Sequence, residues 1–236
     1  MDLPITDFHI HTNLSDGSLS VDEIIKFAKK NHFDMIGISD HYETVKTKSI
    51  KSKYLNNYIE GIRMISEKYD FPIKIGVEID FSNRTDFENM NYNVLNQLDY
   101  ALFEYVQDTV WNGKPFWELL EIYDKIDIPI GLAHNNIDKN FKNVDFENFL
   151  DTLETTGIFV EINTNPLYSM FSQQYYELSR PFFESIKGRN IAISVGSDMH
   201  FYLEDMLNVK KGISFIKELG LENNYLLFLN YFNKEK

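Results

Sequence analysis

The sequence has no cysteine among its 236 residues. Disulfide bonds and thiolate metal sites are therefore excluded, and a bound metal ion would have to be held by histidine, aspartate or glutamate. No apolar run approaches the roughly eighteen residues of a membrane-spanning helix. The first residues also lack the basic and then apolar pattern of a signal segment, so we expect a cytoplasmic protein with no membrane partner.

Basic residues are scarce: 23 Lys and Arg stand against 36 Asp and Glu, which gives a formal net charge of −13. Nucleic-acid backbones are bound by clustered Lys and Arg, so no nucleic-acid partner is expected. A small anionic substrate remains compatible, because carboxylates and imidazoles that hold divalent cations form a locally positive site. The composition makes no prediction about the oligomeric state.

Short apolar runs rich in Ile, Val and Phe alternate with stretches of helical periodicity along the whole chain. The predicted strands are residues 4–10, 35–39, 73–79, 100–106, 130–133, 158–162 and 191–195. The predicted helices are residues 21–31, 54–68, 90–97, 114–125, 145–155, 173–187 and 203–219. This alternation is typical of a parallel sheet covered by helices. About seven units without a linker favour a closed or nearly closed barrel over an open sheet.

We therefore expect one domain over residues 1–236, with an apolar helix at about residues 221–233 packed on its outside. Two local signals support the predicted helix ends. Ser20 with Glu23 three residues later forms a capping-box pattern at a helix start. Gly157 and Gly188 stand where helices should end.

The ends of the predicted strands carry residues that can bind metal. His9 and His11 are two residues apart on a strand, so they point to the same face. Alone this pair would be unremarkable, but other strand ends add similar residues: Asp16, His41, Glu78, His134, Asp198 and His200. Five of the six histidines stand at such ends. The carboxyl ends of barrel strands converge on one face, where active sites lie.

In this order, the motifs resemble those of the polymerase and histidinol phosphatase (PHP) superfamily. They are His9-Ile10-His11 followed by Asp16, then Asp40-His41, Gly76-Val77-Glu78, Ala133-His134 and Ser197-Asp198-Met199-His200. The resemblance spans residues 7–200. It implies an α/β fold, a distorted (β/α)7 barrel, with two to three divalent metal ions (zinc, manganese or iron) and hydrolysis of phosphoesters.

The resemblance also implies roles by position. A first metal would be bound by His9, His11, Glu78 and Asp198. Glu78 would bridge to a second metal, bound by His134, and a third would be bound by Asp16, His41 and His200. A hydroxide bridging two metals would attack the phosphorus. The catalytic candidates are Asp198, which sets the metal spacing, and Asp16 or His200, either of which could protonate the leaving group.

One position departs from the family pattern. Val106 stands where a histidine usually binds the second metal, and valine cannot bind metal. Glu104 lies two residues earlier on the same strand face, and carboxylate oxygen is a competent ligand. The segment is also similar to a strand of the PHP-type tyrosine phosphatases in which a glutamate takes this role. We hypothesise that Glu104 replaces the histidine; the alternative is a weaker, effectively binuclear centre.

Candidate substrate-binding residues are Arg84, Arg180 and Asn163, although the two arginines are equally compatible with solvated surface positions. Asp40 and Glu161 are expected to orient histidine ligands. The leading prediction is a metal-dependent hydrolase of small phosphomonoesters. Alternatives within the superfamily are a histidinol phosphatase, a protein-tyrosine phosphatase and a nuclease. A different class is a catalytically silent metal-binding barrel with a regulatory or structural role. An amidohydrolase is disfavoured, because no strand end offers the usual bridging lysine.

Overall fold

The structure is a computed structural model in which residues 2–232 are described. Within them, seven parallel strands pair in chain order: Thr6–Asp7, Met35–Ile38, Ile73–Asp80, Tyr100–Glu104, Ile130–Leu132, Phe159–Asn163 and Ile193–Gly196. The first and seventh strands also meet, since the N–H of Phe8 donates to the carbonyl of Val195 at 2.9 Å. The sheet is therefore a nearly closed barrel, and the predicted α/β (β/α)7 fold is confirmed.

The register of the strands brings their carboxyl ends to one level. In the pairing of the third and fourth strands, Glu78 lies opposite Leu102 and Asp80 opposite Glu104. All five residues of Tyr100–Glu104 are buried, as expected for a parallel strand covered on both faces. Polar residues at these strand ends are thus held by a rigid, close-packed frame.

Helices cover the barrel: Val21–Lys30, Leu55–Tyr69, Tyr92–Leu95, Phe116–Tyr123, Ile137–Asn140, Phe146–Thr156, Tyr175–Leu178, Arg180–Ser185, Val209–Leu219 and Glu222–Asn230. Short 3₁₀ helices occur at Ser52–Tyr54, Thr109–Trp111 and Leu203–Asn208, and Ser169–Met170 pairs with Gln173–Gln174 in a small antiparallel ribbon. The Ser20–Glu23 capping box is present. Gly157 ends its helix in the left-handed conformation, with φ of 72°.

Several predicted elements are shorter or broken in the structure. The expected helix at 173–187 begins as part of the ribbon and then forms two helices separated at Ser179. Pro181 lies in the first turn of the second helix, where its missing N–H costs no hydrogen bond, and it could not continue the helix before it. The expected first strand, residues 4–10, is reduced to Thr6–Asp7.

The helix Glu222–Asn230 covers the amino end of the first strand. Its Tyr225 hydroxyl lies 2.7 Å from Oγ1 of Thr6, and the ring of Phe228 packs against Phe8 with centroids 4.7 Å apart. The helix therefore packs against the residues that immediately precede His9. The predicted helix end at residue 233 is outside the described residues. Among residues 2–232, no helix has the length and apolar character required to cross a membrane.

Candidate metal centre

All nine residues predicted to bind metal meet at the carboxyl ends of the barrel strands. Their donor atoms form three groups, each with all atoms within 4.8 Å of one another. The groups share members, so the centre is continuous: His9, His11 and Asp198; His11, Asp16, His41 and His200; His41, Glu78 and Glu104. His134 joins them, since its Nε2 is 2.8 Å from Oε1 of Glu78.

The innermost group is built on the extended segment that follows the first strand. His9 and His11 project from one face, with their Nε2 atoms 3.1 Å apart. Oδ1 of Asp198 lies 3.4 Å from Nε2 of His9 and 3.3 Å from Nε2 of His11. Asp198 follows the seventh strand, so the closing edge of the barrel supplies the third member. Both imidazoles are completely buried.

Glu78 occupies the middle of the centre, at the level where the third strand ends. Its Oε1 lies 3.4 Å from Nε2 of His9, in addition to the contact with His134. Its Oε2 lies 3.3 Å from Nε2 of His11 and 3.1 Å from Nδ1 of His41. A carboxylate with an imidazole on either side of each oxygen has the geometry to bridge two cations.

Glu104 ends the fourth strand and points into the centre. Its Oε1 is 3.7 Å from Nδ1 of His41, and its Oε2 is 3.7 Å from Nε2 of His134. The chain then turns sharply, because Tyr105 adopts a left-handed conformation with φ of 65°. The side chain of Val106 consequently packs in the hydrophobic core. Glu104 is thus the residue of this strand that meets His41 and His134.

Asp16 and His200 form the outer rim of the centre. Oδ1 of Asp16 lies 3.5 Å from Nε2 of His200, and its Oδ2 lies 3.5 Å from Nε2 of His41. The side chain of Asp16 is 26% exposed and that of His200 is 22% exposed, whereas that of Glu78 is 2% exposed. A cavity of about 420 Å³ opens above them. A small molecule would therefore reach the buried donors past the rim.

Electrostatic coupling in the centre is strong. Burial disfavours a charged His9, but the surrounding carboxylates, Glu161 first, outweigh it and raise its pKa well above the usual value. Burial, followed by the charge of the neighbouring Glu78, raises the pKa of Glu104 to about 7. Water screens such interactions poorly in a buried site, so a divalent cation would be strongly attracted to these carboxylates.

The donor atoms fit a metal centre. Within the described residues, three buried atoms of the candidate ligands have no hydrogen-bond partner: Nδ1 of His11, Nδ1 of His41 and Oδ1 of Asp198. The carboxylate oxygens that lie 3.1–3.4 Å from these imidazoles lack hydrogen-bond geometry. Each unpaired buried polar atom costs about 1–3 kcal/mol, and a bound cation would remove that cost. Imidazole and carboxylate donors suit zinc, manganese and iron.

A second layer of polar residues holds the centre in place. Oε1 of Glu161 lies 2.8 Å from Nδ1 of His9, as expected for a residue that orients a ligand. Asp40 differs from its prediction: its carboxylate accepts hydrogen bonds from the N–H and Oγ1 of Thr12 at 2.7 and 2.8 Å. Asp40 therefore fixes the loop that carries Asp16 and does not orient a histidine through these bonds.

The three predicted substrate-binding residues lie in different settings. Nε of Arg84 is 2.7 Å from Oδ2 of Asp80. The guanidinium group of Arg84 is therefore held in an ion pair beside the centre. Arg180 pairs with Glu218 on the outer helix at 2.9 Å, so the structure does not bring it to the candidate ligands. The Asn163 amide donates to Oε2 of Glu161 at 3.1 Å and accepts from the N–H of Asn165.

Lys46 is the residue near the centre that the sequence reasoning missed. It lines the cavity together with Asp16 and His200, and its Nζ lies 2.6 Å from Oε1 of Glu104. Lys46 lies five residues after His41, in the loop that follows the second strand. This position alone indicates that its side chain can reach the centre. The sequence analysis predicts arginines, not a lysine, as the cations that bind phosphate.

The fold is a nearly closed α/β barrel, and imidazoles and carboxylates cluster at the carboxyl ends of its strands. This arrangement places the protein among the barrels that carry a metal centre. A family model described as the PHP domain matches residues 7–165. The chain therefore belongs to the PHP domain family, as its motifs predicted. A search of curated proteins found no match to this sequence.

Solved structures share the fold. Histidinol phosphate phosphatase from Lactococcus lactis subsp. lactis Il1403, complexed with zinc, L-histidinol and phosphate, is 18% identical, with a TM-score of 0.67 over 93% of this chain and 95% of that chain. A chain from the work on YwqE from Bacillus subtilis and CpsB from Streptococcus pneumoniae, described as unique metal-dependent tyrosine phosphatases, is 17% identical, with a TM-score of 0.53 and the same coverages. A chain of archaeal ribonuclease P with mature tRNA is 15% identical, with a TM-score of 0.52 over 92% of this chain and 91% of that chain.

Proposed function

We propose that this protein hydrolyses small phosphomonoesters at a centre of two or three divalent metal ions. The observation that carries the proposal is the meeting of nine imidazole and carboxylate side chains. Five of them line a cavity of about 420 Å³: Asp16, His41, Glu78, Asp198 and His200. That cavity matches the lower part of the size range of small-molecule sites. The acidic net charge of −13 disfavours a nuclease, because a polynucleotide needs an extended basic surface.

The proposed metal ligands are the nine side chains of the centre: His9, His11, Asp16, His41, Glu78, Glu104, His134, Asp198 and His200. When bound, the metals would supply Lewis acidity, which activates water and offsets charge on the phosphate. Glu78 and Asp198 would set the spacing between sites. Glu161 would hold His9 with Nε2 directed to the centre. Asp16 and His200, at the rim, would face the substrate, and one of the two would protonate the leaving group.

The contact of Glu104 with both His41 and His134 supports its role in place of the missing histidine. Carboxylate oxygen binds zinc, as imidazole nitrogen does, and it also suits manganese. This feature favours a second, narrower candidate, phosphotyrosine hydrolysis, because the segment is similar to the glutamate-bearing strand of the tyrosine phosphatases. Histidinol phosphate is a further candidate, since the Lactococcus lactis relative holds L-histidinol and phosphate.

The substrate class is tested with a panel of phosphomonoesters, including p-nitrophenyl phosphate, histidinol phosphate and phosphotyrosine. Protein loaded with zinc, manganese or iron would be assayed for release of inorganic phosphate. We expect turnover of at least one member, lost after treatment with a chelator. Metal-loaded protein that hydrolyses none of them would favour the catalytically silent barrel. The cytoplasmic location and the choice of metal remain predictions.

A further inference from the structure

The cavity above the candidate metal centre has a single cationic side chain in its wall. Among the cavity-lining residues in the described part of the chain, Lys46 is the one lysine or arginine. Its side chain is 24% exposed, so the ammonium group is partly shielded from water but reachable from the cavity. Charge-assisted hydrogen bonds are strongest in such a setting.

The loop that carries Lys46 is held in one conformation by hydrogen bonds. The N–H of Glu43 donates to the carbonyl of Ile50 at 3.0 Å, which closes the loop. Oγ1 of Thr44 accepts from the N–H of Lys46 at 3.0 Å, and Oγ of Ser49 donates to the carbonyl of Thr44 at 2.8 Å. The side chain of Lys46 is therefore directed from a fixed backbone, which reduces the entropy lost when it binds a ligand.

The ammonium group of Lys46 reaches the edge of the centre. Its Nζ donates to Oε1 and Oε2 of Glu104 at 2.6 and 2.8 Å, and to the hydroxyl of Tyr105 at 3.2 Å. An ammonium group has three N–H donors. If one oxygen of Glu104 bound a cation, as proposed above, one donor of Lys46 would become available to a ligand in the cavity.

The arginines predicted to bind phosphate are engaged elsewhere. Arg84 contacts Asp80 through Nε and donates through Nη2 to the carbonyl of Trp111 at 3.1 Å. Arg180 pairs with Glu218 on the outer helix. A phosphate group beside the centre would therefore find its nearest protein cation at Lys46.

Resting on the proposed function, we propose that Lys46 binds the phosphate group of the substrate by donating a hydrogen bond to one of its oxygens. Lysine serves here as a compact positive charge with rotatable hydrogen-bond donors. The oxygen bound by Lys46 would be one that the metals leave free. Lys46 would thereby fix the orientation of the phosphoryl group over Glu104.

The test is calorimetric titration of metal-loaded protein with inorganic phosphate, together with a metal count by mass spectrometry. Loss of one charge-assisted hydrogen bond predicts that Lys46→Met weakens phosphate binding about 10- to 100-fold at an unchanged metal count. Lys46→Arg should bind phosphate within a few-fold of the wild-type protein. The matched control is Lys48→Met, because Lys48 lies in the same loop and donates to the exposed carbonyl of Asn13. We expect this control to bind phosphate normally.

Phosphate affinity unchanged in Lys46→Met would overturn the inference. A changed metal count in Lys46→Met would also overturn the inference, because it would assign Lys46 to the metal site instead. If Lys46→Met did not fold, Lys46→Gln, which keeps a hydrogen-bond donor to Glu104, would be measured against the same criteria. Phosphate binding requires no turnover, so a protein that binds phosphate through Lys46 but hydrolyses no ester would contradict the proposed function alone.

Discussion

Oε1 of Glu161 lies 2.8 Å from Nδ1 of His9, and both side chains are fully or almost fully buried. Glu161 stands on the sixth strand and His9 follows the first, so the contact passes over Gly196 of the seventh strand, which lies between them. A carboxylate at Nδ1 fixes the imidazole tautomer and directs Nε2 toward Glu78 and Asp198. The arrangement makes Glu161 a positioning residue for the centre.

The first prediction concerns this pair. Glu161→Gln keeps the size of the side chain but removes the negative charge that orients His9. We expect metal affinity to fall about 10- to 100-fold, measured by titration of metal-free protein with zinc or manganese. Glu60→Gln, on the exposed face of Leu55–Tyr69, is the control and should bind metal normally. If the two variants bound metal with equal affinity, Glu161 would not be a positioning residue for the centre.

The second prediction concerns the space beside the pair. A Cβ atom on Gly196 would lie 2.1 Å from Oε1 of Glu161 and 2.4 Å from Cβ of His9. Gly196→Ala should therefore push the two side chains apart and lower the free energy of unfolding by about 1–3 kcal/mol. Gly61→Ala is the control, because it adds a methyl group on a helix where nothing lies within 4 Å. It should raise stability by about 0.5–1 kcal/mol. Denaturant titration distinguishes these outcomes, and equal effects would contradict the packing argument.

The third prediction concerns Glu104. Glu104→Gln keeps acceptor and shape but removes the charge that would bind a cation between His41 and His134. We expect a lower metal content per chain, or at least a lower occupancy of the last ion, by mass spectrometry of protein dialysed against limiting metal. Glu118→Gln breaks only a partly exposed ion pair with Lys114 and serves as the control. Unchanged stoichiometry and occupancy in Glu104→Gln would show that Glu104 does not replace the missing histidine.

The predictable part of the site follows from regular structure. His9 and His11 share a face because side chains alternate along an extended chain, and strand ends meet because parallel strands in a barrel run the same way. Those two rules brought together eight of the nine residues, and the resemblance to the family added Glu104. The helix boundaries were less predictable, because packing shortened or divided several of the expected elements.

The unpredicted features depend on loop conformation. Val106 turns into the core because Tyr105 is left-handed, a conformation that a non-glycine residue adopts only when its surroundings impose it. Asp40 binds Thr12, and Lys46 reaches Glu104, through contacts between distant loops that local sequence patterns do not encode. Such contacts become visible only when the barrel has fixed where each loop begins.

The most direct test of the account is hydrolysis of p-nitrophenyl phosphate by manganese- or zinc-loaded protein and by the variant carrying both His9→Ala and His11→Ala. We expect turnover in the wild-type protein, and its loss in the variant while circular dichroism shows a retained fold. The control is His32→Asn, because His32 is exposed, lies outside the centre and has φ of 60°, which asparagine tolerates. This variant should keep full activity. Metal-dependent turnover that persists in the double variant would contradict the assignment of the centre.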